Sequence, residues 1–227
     1  TLIKKTPATF GHELSGTIVE VGAGVTRFRP GMRVVPGNTA PCYACFYCKS
    51  GQPNLCDDLL IINGAYAEYM AIPARIVERN LLEVPPHLSF QEAALTEPLG
   101  CAIHAVDRSG LKLGDTVVVL GAGPLGLMIT RLTHLRGAHT ILMGKGQERL
   151  EKGLKFGAEH VIDITQVEDR AEAARALTPD RRGADVVIEA VGRPEAWQEA
   201  ILMARKGGLV ELFGGCKSGT NVNVDTG

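Results

Sequence analysis

The sequence lacks both a long hydrophobic run and an excess of charge of either sign. No apolar stretch approaches the roughly 18 residues that a membrane-spanning helix needs, and the charge-interrupted start has no secretory hydrophobic region. The 24 Lys and Arg residues nearly balance the 25 Asp and Glu residues, which gives a net charge of −1. These absences argue against a membrane protein and against a general affinity for nucleic acid.

The chain does have the composition of a globular protein. Hydrophobic residues make up 45% and charged residues 22% of its 227 positions, so it can bury a sizeable core. Its length corresponds to roughly one and a half domains of ordinary size. Because the first residue is Thr1 and not Met, we expect a trimmed or partial chain.

Four of the six cysteines are clustered, and the cluster is their most informative feature. They follow the spacing C-x2-C-x2-C-x7-C, at Cys42, Cys45, Cys48 and Cys56. Four thiolates suit a structural tetrahedral zinc, and clustering in a long chain favours a cytoplasmic metal site over a disulfide framework. The alternatives are no metal or an iron–sulfur cluster, although ferredoxin runs end in C-x3-C-P. A nucleic-acid zinc ribbon is disfavoured because residues 41–58 contain one basic residue, Lys49.

The chain changes character near residue 87. Before it, short strand-like segments at 17–21, 32–35 and 67–72 are separated by Gly and Pro. After a helical segment at 87–108, five apolar strands alternate with four helical segments, a pattern that predicts a doubly wound parallel sheet. The predicted strands are 116–120, 139–143, 160–164, 184–190 and 209–213, and the predicted helices are 124–136, 147–156, 167–177 and 194–205. We therefore predict a chain of the α/β class with two domains, a β-rich one at 1–100 and a doubly wound one at 101–227.

A glycine-rich turn joins the first of these strands to its helix. The turn has the form G-x-G-x-x-G, with Gly121, Gly123, Pro124, Leu125 and Gly126 as candidate cofactor-binding residues. Between a buried strand and a helix this pattern predicts a dinucleotide site, because glycines admit the pyrophosphate to the helix N-terminus. The alternative is a glycine-rich turn without a ligand.

The acidic residue expected at the end of the second strand is missing. Gly144 occupies its place, followed by Lys145, with Arg149 nearby. A carboxylate at this position holds the ribose hydroxyls of NAD and repels the 2′-phosphate of NADP. Glycine does not repel that phosphate, and the two cations attract it. This favours NADP over NAD, with solvated helix-start charges as the alternative.

A His-Glu pair, His12 and Glu13, becomes informative beside the other two motifs. With them the chain resembles the zinc-dependent medium-chain alcohol and polyol dehydrogenases, on the sorbitol and threonine dehydrogenase side. The matching runs are GHELSGTIVEVGAGV at 11–25, PCYACFYCKSGQPNLC at 41–56, GAYAEYMAIPA at 64–74, EPLGCAIHAV at 97–106 and VVVLGAGPLG at 117–126.

The resemblance implies a GroES-like catalytic domain and a Rossmann domain, each partial here, with a catalytic zinc. It implies that His12 is a zinc ligand and that Glu13 is an adjacent carboxylate able to act as one. The same resemblance places Glu97 at the third ligand position, where it is expected to bind zinc directly or through water. It also implies that Cys101 is a buried apolar residue near the nicotinamide, and we expect His104 in the core.

The family chemistry is hydride transfer between a secondary alcohol or polyol and NAD(P), with zinc acting on the substrate hydroxyl. Val191 and Gly192 are further candidate cofactor-binding residues, and the family implies a homodimer or homotetramer. The family pattern has a cysteine ligand before the His-Glu pair, and no cysteine precedes Cys42. A non-catalytic fragment or pseudo-enzyme that binds dinucleotide and structural zinc is therefore one alternative. A zinc-free quinone reductase is another, disfavoured by the His-Glu pair and the cysteine cluster.

Overall fold

The computed structural model describes residues 9–224, which divide into two units between Pro98 and Leu99. None of the helices in this part of the chain is long and apolar enough to cross a membrane. A long helix, Thr96–Arg108, begins in the first unit and continues into the second.

The first unit is built from short strands. An antiparallel three-stranded sheet has the order β1-β2-β5, and β3 pairs with β4 in a separate antiparallel ladder. The strands are β1 Gly16–Thr17, β2 Arg33–Pro36, β3 Thr39–Ala40, β4 Leu60–Ile61 and β5 Leu81–Glu83. The helices are α1 Phe46–Lys49, α2 Ala74–Asn80 and α3 Phe90–Ala94, followed by α4, the Thr96–Arg108 helix.

Small apolar clusters hold this first unit together. Phe28, Val34 and Leu81 form one, and Ala40, Ile62 and Ile76 form another beneath the β3-β4 ladder. The predicted strand at 67–72 is wrong, because this segment forms no ladder with another described strand. A strand needs a hydrogen-bonded neighbour, so a suitable composition alone does not make one.

The second unit contains the predicted doubly wound sheet. Its five strands are all parallel, in the order β10-β9-β6-β7-β8. They are β6 Thr116–Leu120, β7 His139–Gly144, β8 His160–Asp163, β9 Ala184–Glu189 and β10 Ala204–Leu212. The helices between them are α5 Pro124–Leu135, α6 Gln147–Lys155, α7 Arg170–Arg175 and α8 Pro194–Met203. The strand order confirms the Rossmann-type arrangement, with its switch point between β6 and β9.

Burial on both faces explains why this sheet is continuous. All five residues of β6 are buried. Val117 and Val119 belong to the apolar cluster that includes Ile129 of α5, whereas Val118 and Leu120 belong to the opposite cluster. Because β6 lies between β7 and β9 in a parallel sheet, the carboxyl ends of these three strands lie side by side, where doubly wound sheets bind ligands.

Candidate metal and dinucleotide sites

The four cysteine sulfurs of the 42–56 segment lie within 4.8 Å of one another. Cys42 follows β3, Cys45 is the N-cap of α1, and Cys48 lies within that helix. Cys56 ends the 3₁₀ turn Pro53–Leu55 and is buried. Two short helical turns thus bring the four sulfurs of this segment together.

Backbone N–H groups favour the thiolate form of two of these cysteines, Cys42 and Cys45. Ala44 and Cys45 each donate to Cys42 Sγ at 3.3 Å, and these bonds lower the pKa of Cys42 to about 6. N–H groups of Cys48 and Asp57 likewise lower the pKa of Cys45. Partial burial and the neighbouring sulfurs raise the pKa of the Cys48 thiol to about 12. The donor set of four close sulfurs fits tetrahedral zinc, whose charge would hold all four as thiolates.

A second potential metal site lies in the same unit and is formed by His12, Glu13 and Glu97. One ligand atom from each lies within 4.8 Å of the others. His12 Nε2 is 3.7 Å from Glu97 Oε1, and the Glu97 side chain is 15% exposed. An imidazole nitrogen and two carboxylate oxygens are donors that zinc accepts. The structure therefore brings Glu97 to the His12–Glu13 pair, although His12 and Glu97 are 85 positions apart in the sequence.

The backbone of residues 64–66 holds the segment that leads to His12. The carbonyl of Gly11 accepts the N–H groups of Gly64 and Ala65, and the carbonyl of Phe10 accepts that of Tyr66. Gly11 has a φ of +87°, and a Cβ there would lie 3.0 Å from the Tyr66 ring. A side chain at position 11 would therefore disturb the segment that leads to His12.

Asn38 is a residue of this site that the sequence did not reveal. Its Nδ2 donates to Glu97 Oε1 at 2.9 Å across 59 residues of sequence. Asparagine between two strands is ordinary turn chemistry, so no sequence signal distinguishes it from a solvated turn residue.

The glycine-rich turn in the second unit has the geometry of a phosphate loop. Gly121 has a φ of +113°, and its N–H donates to the Met143 carbonyl at 2.7 Å. A Cβ on Gly126 would lie 1.6 Å from the Gly121 carbonyl oxygen, so only glycine lets α5 approach the loop this closely. Gly123 is the N-cap of α5, with Pro124 and Leu125 in its first turn. The free N–H groups of such a helix start attract a pyrophosphate.

Gly144 ends β7 beside this loop. A Cβ there would lie 2.5 Å from the Ala122 Cβ, so close packing against Ala122 also requires glycine at this position. Lys145 and Arg149 both lie exposed just beyond it, at the start of α6. They add positive charge next to the strand end where the expected carboxylate is missing.

Val191 and Gly192 follow β9 and are held by a carboxylate. Glu189, fully buried at the end of that strand, accepts their N–H groups through Oε1 at 2.7 and 2.9 Å. Gly192 has a φ of +75°, and a Cβ there would lie 2.7 Å from the Gly215 carbonyl oxygen. The loop after β9 is therefore fixed beside the segment after β10.

Two expectations about α4 are wrong. Cys101 and His104 are exposed, not buried. The buried face of the helix consists of Ala102, Ala105 and Val106, which follow the helical spacing of three and four residues. Cys101 and His104 fall outside that stripe.

Together these features define a protein with two metal-ligand clusters in a β-rich unit and a dinucleotide-type loop in a Rossmann unit. Comparison with known proteins gives the same class. Residues 2–85 match the family profile described as Alcohol dehydrogenase GroES-like domain, and residues 124–226 match Zinc-binding dehydrogenase. The chain belongs to this zinc-binding dehydrogenase family, and its first unit is the predicted GroES-like domain.

Individual relatives agree with that assignment. The chain is 37% identical to sorbitol dehydrogenase of Bacillus subtilis strain 168 over 214 residues, covering 92% of this chain and 59% of the relative. It is 39% identical to D-arabitol-phosphate dehydrogenase of Enterococcus avium over 211 residues, covering 89% and 58%. The chain thus spans about 60% of the length of these curated relatives.

A solved structure from Sinorhizobium meliloti 1021, described as a zinc-binding dehydrogenase bound to NADP, superimposes with a TM-score of 0.87. The two sequences are 33% identical, and the superposition covers 97% of this chain and 65% of the relative. Bound nucleotide is thus present in a structural relative.

Proposed function

We propose that the protein is a zinc-dependent oxidoreductase that transfers a hydride between a secondary alcohol or polyol and NAD(P). The observation that carries the proposal is the group of His12, Glu13 and Glu97, whose ligand atoms lie within 4.8 Å of one another and apart from the thiol cluster. A protein that needed zinc only for folding would require the thiol cluster alone. The sorbitol and D-arabitol-phosphate dehydrogenases among its relatives support a polyol-type substrate.

Each group of residues has its own part in this activity. His12, Glu13 and Glu97 are the candidate ligands of a catalytic zinc, which when bound supplies Lewis-acid polarisation of a substrate oxygen. Cys42, Cys45, Cys48 and Cys56 would hold a structural zinc with no open position for substrate.

The second unit would bind the cofactor. The N–H groups at the start of α5 receive the pyrophosphate, and Gly123 lets the backbone approach it. Val191 and Gly192 are proposed to line the same site, and the bonds from their N–H groups to Glu189 support this by fixing their loop. The family relationship also supports a cytoplasmic homodimer or homotetramer as the working form.

Metal analysis of His12→Ala tests the catalytic site. We expect this variant to lose one zinc ion per chain and its turnover while keeping the thiol-bound zinc. The matched control is His87→Ala, because His87 is an exposed histidine of the same unit outside both clusters. Unchanged turnover in His12→Ala would show that the assignment is wrong. A single zinc, bound nucleotide and no turnover in the unaltered protein would instead identify a non-catalytic module.

We propose that the protein prefers NADP to NAD. Lys145 and Arg149 offer positive charge where a 2′-phosphate would lie, and Gly144 offers no carboxylate to repel it. Replacing both cations by Ala should weaken NADPH binding about tenfold and leave NADH binding nearly unchanged. Lys152→Ala, one turn further along α6, is the control. Equal kcat/KM with both cofactors in the unaltered protein would contradict the preference.

A further inference from the structure

Asn38 lies in a turn that is anchored on both sides. The turn joins β2 to β3, and its Gly37 N–H donates to the Asn80 carbonyl at 2.7 Å. The carbonyl of Asn38 accepts the Ile62 N–H at 2.8 Å. The backbone of Asn38 is therefore fixed without help from its side chain, which is available for another role.

The Asn38 side chain is directed at the second metal-ligand cluster. Its Nδ2 donates to Glu97 Oε1 at 2.9 Å, the same oxygen that faces His12 Nε2 at 3.7 Å. An ionised carboxylate only accepts hydrogen bonds, so the amide must present its NH₂ group. A carboxylate that accepts this hydrogen bond keeps one orientation toward the ligand atoms of His12 and Glu13.

We propose that Asn38 is a positioning residue of the metal site, and that its amide orients the Glu97 carboxylate for the ion. This inference rests on the proposed function, because it requires that His12, Glu13 and Glu97 hold a metal. An amide nitrogen bonded to a carboxylate is itself no ligand, so Asn38 acts through Glu97. Partners of this kind are commonly worth about 10- to 100-fold in metal affinity.

A neighbouring asparagine provides a matched control. Asn80 Nδ2 donates to the Thr39 carbonyl, and its Cβ lies 3.1 Å from where a Cβ on Gly37 would stand. It therefore supports the same turn through the backbone of Thr39. Loss of the Asn80 amide should affect the stability of the turn and leave the orientation of Glu97 intact.

The test measures metal binding by the full protein carrying Asn38→Ala, Asn38→Leu or Asn80→Ala. Leucine keeps most of the volume of asparagine and removes the donor, so it separates packing from hydrogen bonding. Cobalt(II) replaces zinc, its affinity is measured by chelator competition, and its visible spectrum reports the ligand geometry. Thermal unfolding of each apoprotein in chelator reports the structural effect separately.

We expect both Asn38 variants to bind cobalt at the second site about 10- to 100-fold more weakly, with an altered spectrum. Metal at the thiol cluster should be unchanged in both, and the apoprotein Tm should fall by no more than it does in Asn80→Ala. Second-site affinity within twofold of the unaltered protein would overturn the role of Asn38, as would equal losses in Asn80→Ala. If the unaltered protein bound no metal outside the thiol cluster, the proposed metal site itself would fail, and this inference with it.

Discussion

At the scale of single residues, the cysteine cluster depends on each of its sulfurs. Cys45 is both a candidate ligand and the N-cap of α1, and the N–H groups of Cys48 and Asp57 favour its thiolate form. Serine has a similar shape but binds zinc poorly, because its hydroxyl stays protonated near neutral pH. The remaining three sulfurs cannot close a four-coordinate site.

We expect Cys45→Ser to lose the structural zinc and to lower the free energy of unfolding by more than about 3 kcal/mol. Zinc content and chemical denaturation of the purified variant measure both effects. Cys216→Ser, a cysteine of the other unit, should change neither. A stable Cys45→Ser protein with full zinc content would refute the structural-zinc assignment.

Asp185 of β9 links three strands of the Rossmann sheet, because its carboxylate accepts hydrogen bonds from Thr116 of β6 and Arg205 of β10. Burial alone would raise the pKa of this carboxyl, but the Arg205 guanidinium and the Thr116 N–H outweigh it and hold the pKa below its usual value. A carboxyl with a lowered folded-state pKa stabilises the fold above its unfolded value, about 3.9. That stabilisation is lost as the pH falls through the lower, folded-state pKa.

Asp185→Asn should therefore cost about 2 kcal/mol of stability at neutral pH, because it removes a charge-assisted bond. The difference from the unaltered protein should narrow below about pH 4, where the native carboxyl also begins to protonate. Urea unfolding across the acidic range measures this. A difference that stays constant with pH would mean that the charge of Asp185 contributes nothing.

At the scale of elements, two glycines of the phosphate loop have different functions. A Cβ on Gly126 would meet the Gly121 carbonyl oxygen at 1.6 Å, whereas one on Gly123 meets no atom within 4 Å. Gly126 is thus required by the packing of α5 on its own loop. Gly123 is required only where a ligand approaches the backbone.

Gly126→Ala should destabilise the second unit by about 3 kcal/mol through overpacking. Gly123→Ala should change stability by less than about 0.5 kcal/mol and weaken dinucleotide binding about tenfold. Thermal unfolding and nucleotide titration of both variants provide the comparison. Normal nucleotide affinity in Gly123→Ala would argue against a pyrophosphate at this turn.

The sequence predicted the elements of the second unit better than those of the first. The bounds of β6 were predicted correctly because a strand buried on both faces is a continuous apolar run. In the first unit, strands of two to four residues carry too little pattern, and the segment 67–72 is not a strand. Their positions depend on partners that are distant in the chain.

For the candidate sites too, local motifs could be predicted from the sequence and contacts between distant residues could not. The cysteine spacing and the glycine-rich turn are local motifs, so they could be recognised directly. The contact of Asn38 with Glu97 spans 59 residues and has no local signature. Cys101 and His104 were misplaced because tertiary packing of Ala102 and Ala105, not residue type alone, selects the buried face of α4.

At the scale of the whole molecule, the proposed reaction would need groups from both units. Both metal-ligand clusters belong to the unit that ends at Pro98, and the dinucleotide-type loop belongs to the unit that follows. The proposed hydride transfer would require both units, because the candidate metal ligands and the candidate cofactor loop belong to different ones. The family profiles match the two units in the same order along the chain.

The most direct test of this account is nucleotide-dependent oxidation of secondary alcohols and polyols by the zinc-loaded protein. We expect reduction of NADP⁺ or NAD⁺ with at least one such substrate, followed by nicotinamide absorbance, and its loss in His12→Ala. Absence of turnover with every alcohol and polyol, in a protein that binds nucleotide and zinc at both clusters, would contradict the proposed function.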